Sequence, residues 1–401
     1  MKYVILIGDG MGDYPLESLG GRSPLEYATT ANLDRLAKEG MLARCATIPE
    51  GMAPGSDVAI FSLMAYCAKG VLEGRGPLEA AALKIPLKEG DLAFRMNLVT
   101  VGHDGADTIM LNHASGDISN PEAGELISAL KENMPLAGQK IYQGVSYRHI
   151  LIWPGAPLGL PSIPPHDHLD EKITNLINEP KNAPIMDLVK ASWPILENHP
   201  VNKKRVQAGL PPANSIWLWG QGRTPIVKSY KERWGITGAT VSAVDIIRGL
   251  AITTGLVPLT VPGATGTLDT NYEGKVEAAL AALKSYDLVI VHLEAPDECS
   301  HQGDLKSKIK AIENFDARIV GPILKALPSF GDYRILCSCD HYTPVMKKTH
   351  SSDPVPFVLY DSQNPAQSGG QGYSEKEAAK NPTIIPDGPS LGLLFFGPER
   401  Q

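Results

Sequence analysis

Five cysteines in 401 residues, no apolar run of membrane length and no surplus of positive charge set the first limits on this chain. Cys45, Cys67, Cys299, Cys337 and Cys339 are odd in number and mostly sit in apolar sequence, which suits free thiols in a reducing compartment better than disulfides. The spacing of Cys337-Ser338-Cys339 is wrong for a redox or zinc CxxC pair. No run approaches the roughly 20 apolar residues a membrane span needs. The Tyr3 to Ile7 run is shorter than a signal-peptide core and meets Asp9 at once, so the expected location is cytoplasmic. A net charge of -7, with Lys203-Lys204-Arg205 as the one basic cluster, argues against a nucleic-acid partner. No GxxxxGK[ST] loop, internal repeat or low-complexity tract is present.

With 43% hydrophobic and 20% charged residues, the chain describes an ordinary globular protein long enough for two domains. Lys2 to Ile7 is a continuous apolar run bounded by glycine, as expected of a central parallel strand covered on both faces. Its tip, Gly8-Asp9-Gly10-Met11-Gly12-Asp13, lacks the third glycine of a dinucleotide loop and places a carboxylate where a pyrophosphate would lie. Glycines that admit close approach around Asp9 suit a cation better. A capped helix is expected over Thr30 to Ala37, with Asn32 as cap and Gly40 as terminator.

Three further stretches carry chemistry. Arg334 to Cys339 is an apolar run of strand length that ends in Asp340-His341, with His350 nine residues beyond His341. Neighbours on a strand point to opposite faces, so Asp340 and His341 share one ion only where the strand gives way to the Tyr342-Thr343-Pro344 loop. Tyr286 to Leu293 reads as another buried strand, and beyond it Asp297 and His301 are four apart, on one face of a helical turn. Glu294 and Glu298 are alternative ligands in that segment. A helix from Asp304 to about Leu327 follows, with Lys306, Lys308 and Lys310 on its outer part. Ser56, after Pro54-Gly55, opens a helical apolar pattern, where it is an N-cap, a group presented to phosphate at a helix N-terminus, or both. A serine hydroxyl is a poor nucleophile until a metal or base activates it.

Together, Gly8-Asp9-Gly10-Met11-Gly12-Asp13, Pro54-Gly55-Ser56-Asp57, Glu294-Ala295-Pro296-Asp297 with His301, Cys339-Asp340-His341 with His350, and Asp353-Pro354-Val355-Pro356 resemble the archaeal-type, cofactor-independent phosphoglycerate mutases of the alkaline phosphatase superfamily. The match spans both ends and the middle of the chain, in order. The resemblance implies two divalent ions, usually manganese, with zinc, cobalt or magnesium as alternatives. Asp9, Ser56, Asp340 and His341 would surround one ion, and Asp297, His301 and His350 the other. Ser56 would carry the phosphoryl group while 3-phosphoglycerate and 2-phosphoglycerate interconvert without 2,3-bisphosphoglycerate, a step of glycolysis and gluconeogenesis.

The expected fold is α/β: a mainly parallel sheet flanked by helices, built from residues 1–90 and 225–401, with an inserted smaller α/β domain over 91–224. In related mutases such a domain carries cationic groups that hold the substrate carboxylate and phosphate. Here the positions matching that role are Arg148, Asp167, Arg205 and Asn214, with Lys231 near the return crossing. Ile109 to Asp117 departs from the family, standing where archaeal mutases carry an arginine-rich motif. Pro211 to Gly220 resembles a bacterial branch also assigned as a homoserine phosphotransferase, which stays open as a second reading on the same centre. A non-catalytic metal- or phosphoester-binding protein is the third. The expected partner is a small phosphorylated substrate. Ser362 to Asp387, rich in Gly, Gln, Asn and Ser, reads as a long exposed loop.

Overall fold

The computed structural model describes residues 1–157, 159–366 and 370–400. The chain divides into two compact units, Met1–Val71 with Ile226–Gln401, and Leu72–Pro225. The first crossing falls before residue 90 because the Gly76–Ala82 helix packs on strands of the inserted unit.

In chain order the strands are β1 (Lys2–Gly8) and β2 (Met41–Cys45), then β3 (Asp91–Asp104), β4 (Asp107–Asn112), β5 (Lys140–Val145), β6 (Arg148–Pro154) and β7 (Ser215–Gly222) in the inserted unit. They continue as β8 (Gly238–Val241), β9 (Val257–Leu259), β10 (Leu288–Leu293), β11 (Tyr333–Ser338), β12 (Val355–Asp361) and β13 (Ile384–Ile385).

The larger unit holds an eight-stranded sheet in the order β13-β2-β12-β11-β1-β10-β8-β9. β1 runs parallel to both β10 and β11, pairing Ile5 with Ile290 and Leu336, and the antiparallel exceptions are the β11–β12 and β12–β2 pairs. Val4 to Ile7, Leu288 to Val291 and Ile335 to Cys337 are all buried, as unbroken apolar runs in a sheet covered on both faces require. The carboxyl ends of β1, β10 and β11 therefore open side by side, where open α/β sheets bind ligands.

The inserted unit is built on an antiparallel sheet, β4-β3-β6-β5, with β7 on the other edge of β3. Phe94, Met96, Leu98 and Trp217 pack under the Asn120–Asn133 and Ala183–Glu197 helices. Among the described residues, no helix is long and apolar enough to cross a membrane.

Several local expectations change. Thr30, not Asn32, is the N-cap of the Ala31–Glu39 helix, and the Asn32 amide donates to Asp316 Oδ2 at 2.8 Å. The helix expected after Asp304 runs Leu305–Phe315, then passes through a wider turn at Asp316–Val320. Lys308 is not on its outer face but wholly buried, paired with Asp13 at 2.9 Å. In the Ser362 to Asp387 stretch, residues 367–369 lie outside the described residues. Part of the remainder is anchored: the buried Tyr373 hydroxyl donates to Pro356 O, and Glu375 opens a short helix, Glu375–Ala379.

Candidate metal centre

Seven side chains converge at the carboxyl ends of β1, β10 and β11. Asp9 follows β1 directly, and Asp340 and His341 follow β11; all three are 0% exposed. Gly10, at φ +62°, turns the chain so tightly that an added Cβ would lie 2.6 Å from Asp297 Oδ1. Asp340 Oδ1 accepts from the backbone N–H groups of Gly10 at 3.0 Å and His341 at 2.9 Å. Oδ2 is thereby left without a hydrogen-bond partner, as are Asp9 Oδ1 and Glu294 Oε2. Buried carboxylate oxygens with no donor are costly unless a cation meets them.

The histidines show the same commitment. Thr343 donates its hydroxyl proton to Asp297 Oδ1, so at 3.1 Å it accepts from His341 Nδ1, and the His341 Nε2 lone pair faces inward. That Nε2 lies 3.2 Å from Asp340 Oδ2, 3.5 Å from Asp9 Oδ1 and 3.2 Å from Ser56 Oγ. Opposite, the Ala295–Gln302 helix places Asp297 and His301 one turn apart, with His301 Nε2 3.1 Å from Asp297 Oδ2. His301 Nδ1 donates to Lys348 O at 2.9 Å, and His350 Nδ1 to Pro54 O at 3.4 Å. Both Nε2 atoms then point at one spot, 3.0 Å apart. Imidazoles fixed through Nδ1 with converging Nε2 atoms are the usual preparation for metal binding.

Electrostatics agree. Burial, then the Asp340 and Asp297 carboxylates, push the Asp9 pKa well above its ordinary value. Burial and Asp297 raise Glu294 to about 8. At Asp297 burial acts upward, but hydrogen bonds from His301 and His350 outweigh it and hold the carboxyl well below the usual range. The Asp297 hydrogen bond lifts His301 to about 9. Carboxyls crowded together in a buried pocket, pushing one another's pKa upward, fit a site for a divalent cation.

Ser56 is the first residue of the Ser56–Leu63 helix, and Gly55 takes the cap position. The N-cap reading of Ser56 is therefore replaced: its Oγ lies against His341 Nε2. Ligand groupings compatible with one ion each are Asp9-Asp340-His341 and Asp297-His301-His350, and Asp9-His292-Glu294 form a third such cluster. His292 escaped sequence reasoning, its only signal being a histidine in an otherwise apolar strand. Burial and Lys275 push it down to about 3, so it stays neutral, with Nε2 2.8 Å from Asp9 Oδ2 and Nδ1 3.1 Å from Ser242 Oγ. Thr343, which touches a ligand from each set, was also missed.

The expected clamp residues fare differently. Arg205 is buried, with its guanidinium spent on Glu122, Ser115 O and Pro211 O at 2.6–3.0 Å. Asn214 clips the edge of β3, accepting from Val101 N and donating to Val101 O, both at 2.8 Å. Both side chains are engaged in holding the inserted unit together. Arg148 stands 5.9 Å from the Tyr147 ring, Asp167 is exposed beside His166, and Lys231 is exposed on the Tyr230–Trp234 helix.

Comparison with known proteins agrees with this geometry. Residues 1–381 match the model of the Metalloenzyme superfamily. The chain is 48% identical over 364 residues to the 2,3-bisphosphoglycerate-independent phosphoglycerate mutase of Methanothrix thermoacetophila, covering 90% of this chain and 91% of that one. To the enzyme of the same name from Methanosarcina acetivorans it is 46% identical over 385 residues, covering 95% and 96%. A solved protein from Pyrococcus horikoshii superposes with a TM-score of 0.80 at 28% identity, over 98% of this chain and 96% of that one. The chain belongs to the Metalloenzyme superfamily and, within it, to the 2,3-bisphosphoglycerate-independent phosphoglycerate mutases.

Proposed function

We propose that this chain interconverts 3-phosphoglycerate and 2-phosphoglycerate through a phosphoserine on Ser56, with two divalent cations, manganese being the first choice. The observation that carries the reading is the Ser56 hydroxyl, 3.2 Å from His341 Nε2, a nitrogen that itself lies 3.5 Å and 3.2 Å from the partnerless oxygens of Asp9 and Asp340. Asp9, Ser56, Asp340 and His341 would hold one cation, and Asp297, His301 and His350 the other. Bound there, the cations would lower the pKa of the serine hydroxyl and neutralise phosphoryl charge.

This chain's own part is positional. Ser56 Oγ loses its proton and forms a bond to phosphorus as the bond from phosphorus to the glycerate 3-oxygen breaks, and that oxygen takes up the proton. The glycerate then turns, its 2-oxygen loses a proton and bonds to the phosphorus of phospho-Ser56 as the bond from phosphorus to Ser56 Oγ breaks, and the serine oxygen takes up the proton. N–H groups of the Ser56–Leu63 helix favour the phosphoryl group while it is held. Arg148, Asp167, Arg205, Asn214 and Lys231 are candidates for holding substrate, Arg205 and Asn214 being already engaged within the inserted unit. A mutase must keep water from the phosphoserine during the turn, and the reaction, with free small metabolites, suits the cytoplasm.

The test is phosphorus NMR of manganese-loaded protein with 3-phosphoglycerate and no bisphosphoglycerate, beside a sample holding ATP and homoserine. Appearance of 2-phosphoglycerate, absent from Ser56→Ala, is the expected result. Phosphohomoserine without isomerisation would transfer the assignment to the homoserine phosphotransferase, and turnover undiminished in Ser56→Ala would sink the mechanism.

A further inference from the structure

The Leu305–Phe315 helix carries a lysine on its buried face, one turn before Ala311 and Ile312, and Lys308 is 0% exposed. Its ammonium donates to three oxygens: Asp13 Oδ2 at 2.9 Å, Thr343 O at 2.9 Å and Gly12 O at 3.2 Å. An ammonium has three protons, and all are used. A buried ion pair is weak evidence for stability, since well-packed apolar residues often do as well. What distinguishes this pair is the set of segments it joins.

Gly12 and Asp13 lie on the loop that begins with Asp9, and Thr343 lies two residues past His341. The two loops also meet directly, through Thr343 N to Gly12 O at 3.1 Å and Val345 N to Asp13 Oδ2 at 3.0 Å. The helix holding Lys308 follows the Ala295–Gln302 helix, which carries Asp297 and His301, after a left-handed turn at Gly303 (φ +76°). Thr343 in turn contacts Asp297 and His341 through its hydroxyl. One ammonium thus ties together the three segments that bear five of the seven expected ligand side chains.

We propose that Lys308 is a positioning residue of the metal centre: its ammonium, paired with Asp13, fixes the spacing between the two ligand sets. It touches neither substrate nor reacting atoms, and acts through Thr343 and the Asp9 loop. The inference rests on the two-cation reading above.

The experiment compares wild type, Lys308→Met and the double variant Lys308→Met/Asp13→Asn, which removes the carboxylate that the single change would strand. Mn2+ is titrated calorimetrically into each metal-free protein, with thermal melts, kcat and KM measured alongside. In the double variant we expect a folded protein with both cations bound about 10- to 100-fold more weakly, the scale of losses when groups orienting a metal's ligands are removed, and kcat reduced more than KM. A double variant that melts lower but keeps both affinities and kcat would overturn the proposal, reducing Lys308 to a packing element. Should the single variant not fold, the double variant decides. A wild type that binds no Mn2+ would overturn the two-cation reading and this one with it, whereas wild-type binding with unchanged variants overturns this one alone.

Discussion

The two ligand sets are built to different standards. In the Asp9-Asp340-His341 set every member is fully buried, and its oxygens are aimed by backbone N–H groups and by His292. In the Asp297-His301-His350 set the imidazoles are partly open, with side chains 35% and 18% exposed, and carbonyls of Lys348 and Pro54 aim them. The set nearest Ser56 therefore belongs to the sheet, while the other leans on loops. Ser56 sits against the fully buried set, at 3.2 Å from His341 Nε2, and the other set carries the imidazoles that solvent reaches.

The largest effect tests that division at its centre. Ser56→Ala should abolish turnover, by on the order of 10³-fold or more, while calorimetry still finds cations on the outer set. Next, Asp340→Asn should eliminate one of two bound cations and nearly all turnover, whereas His301→Asn should empty the outer set and leave the inner one occupied. Metal analysis after dialysis reads the two apart, and loss of both cations in both variants would erase the distinction drawn here. Thr343→Val removes the hydroxyl shared by the two sets, and metal affinity or kcat should fall about 10- to 100-fold. If Thr343→Val weakens only one set, the sets are independent.

The smallest effect concerns Glu375, away from the ligands, where its carboxylate accepts from Asp13 N at 3.0 Å and Ser23 Oγ at 2.6 Å. Burial raises its pKa to about 7 from 4.5. A carboxyl whose folded pKa is raised contributes stability fully below its unfolded pKa and loses it as pH rises toward the folded value. The window runs from about 4.5 to about 7 and is worth about 3 kcal/mol at most. Glu375→Gln should flatten that part of the stability curve, measured as the difference between mutant and wild-type denaturation across pH.

Much of the site is legible in the sequence. Asp9 ends an apolar strand between glycines, Asp340-His341 ends another, and the i,i+4 spacing of Asp297 and His301 survives as a helical turn with a 3.1 Å contact. The illegible part depends on distant partners. Ser56 reads in sequence as a cap, as a group facing phosphate, or as both, and Gly55 takes the cap place. Lys308, Arg205 and Asn214 read as available, because sequence shows a side chain's polar groups but not the partners in the fold that engage them. His292 reads as core, and only the folded chain lays it against Asp9.

Local chemistry is therefore written in the sequence: which strands are buried on both faces, where each run ends in a carboxylate or imidazole, and which helical turn pairs them. Periodicity and turn residues act over a few positions, so they are readable there. Folding in three dimensions settles which lone pairs converge, which cations are spent internally and which hydroxyl faces the ligands. Those outcomes depend on contacts such as Asp9 with His292 and Lys308 with Asp13, 283 and 295 residues apart, and no local pattern encodes a partner at that distance.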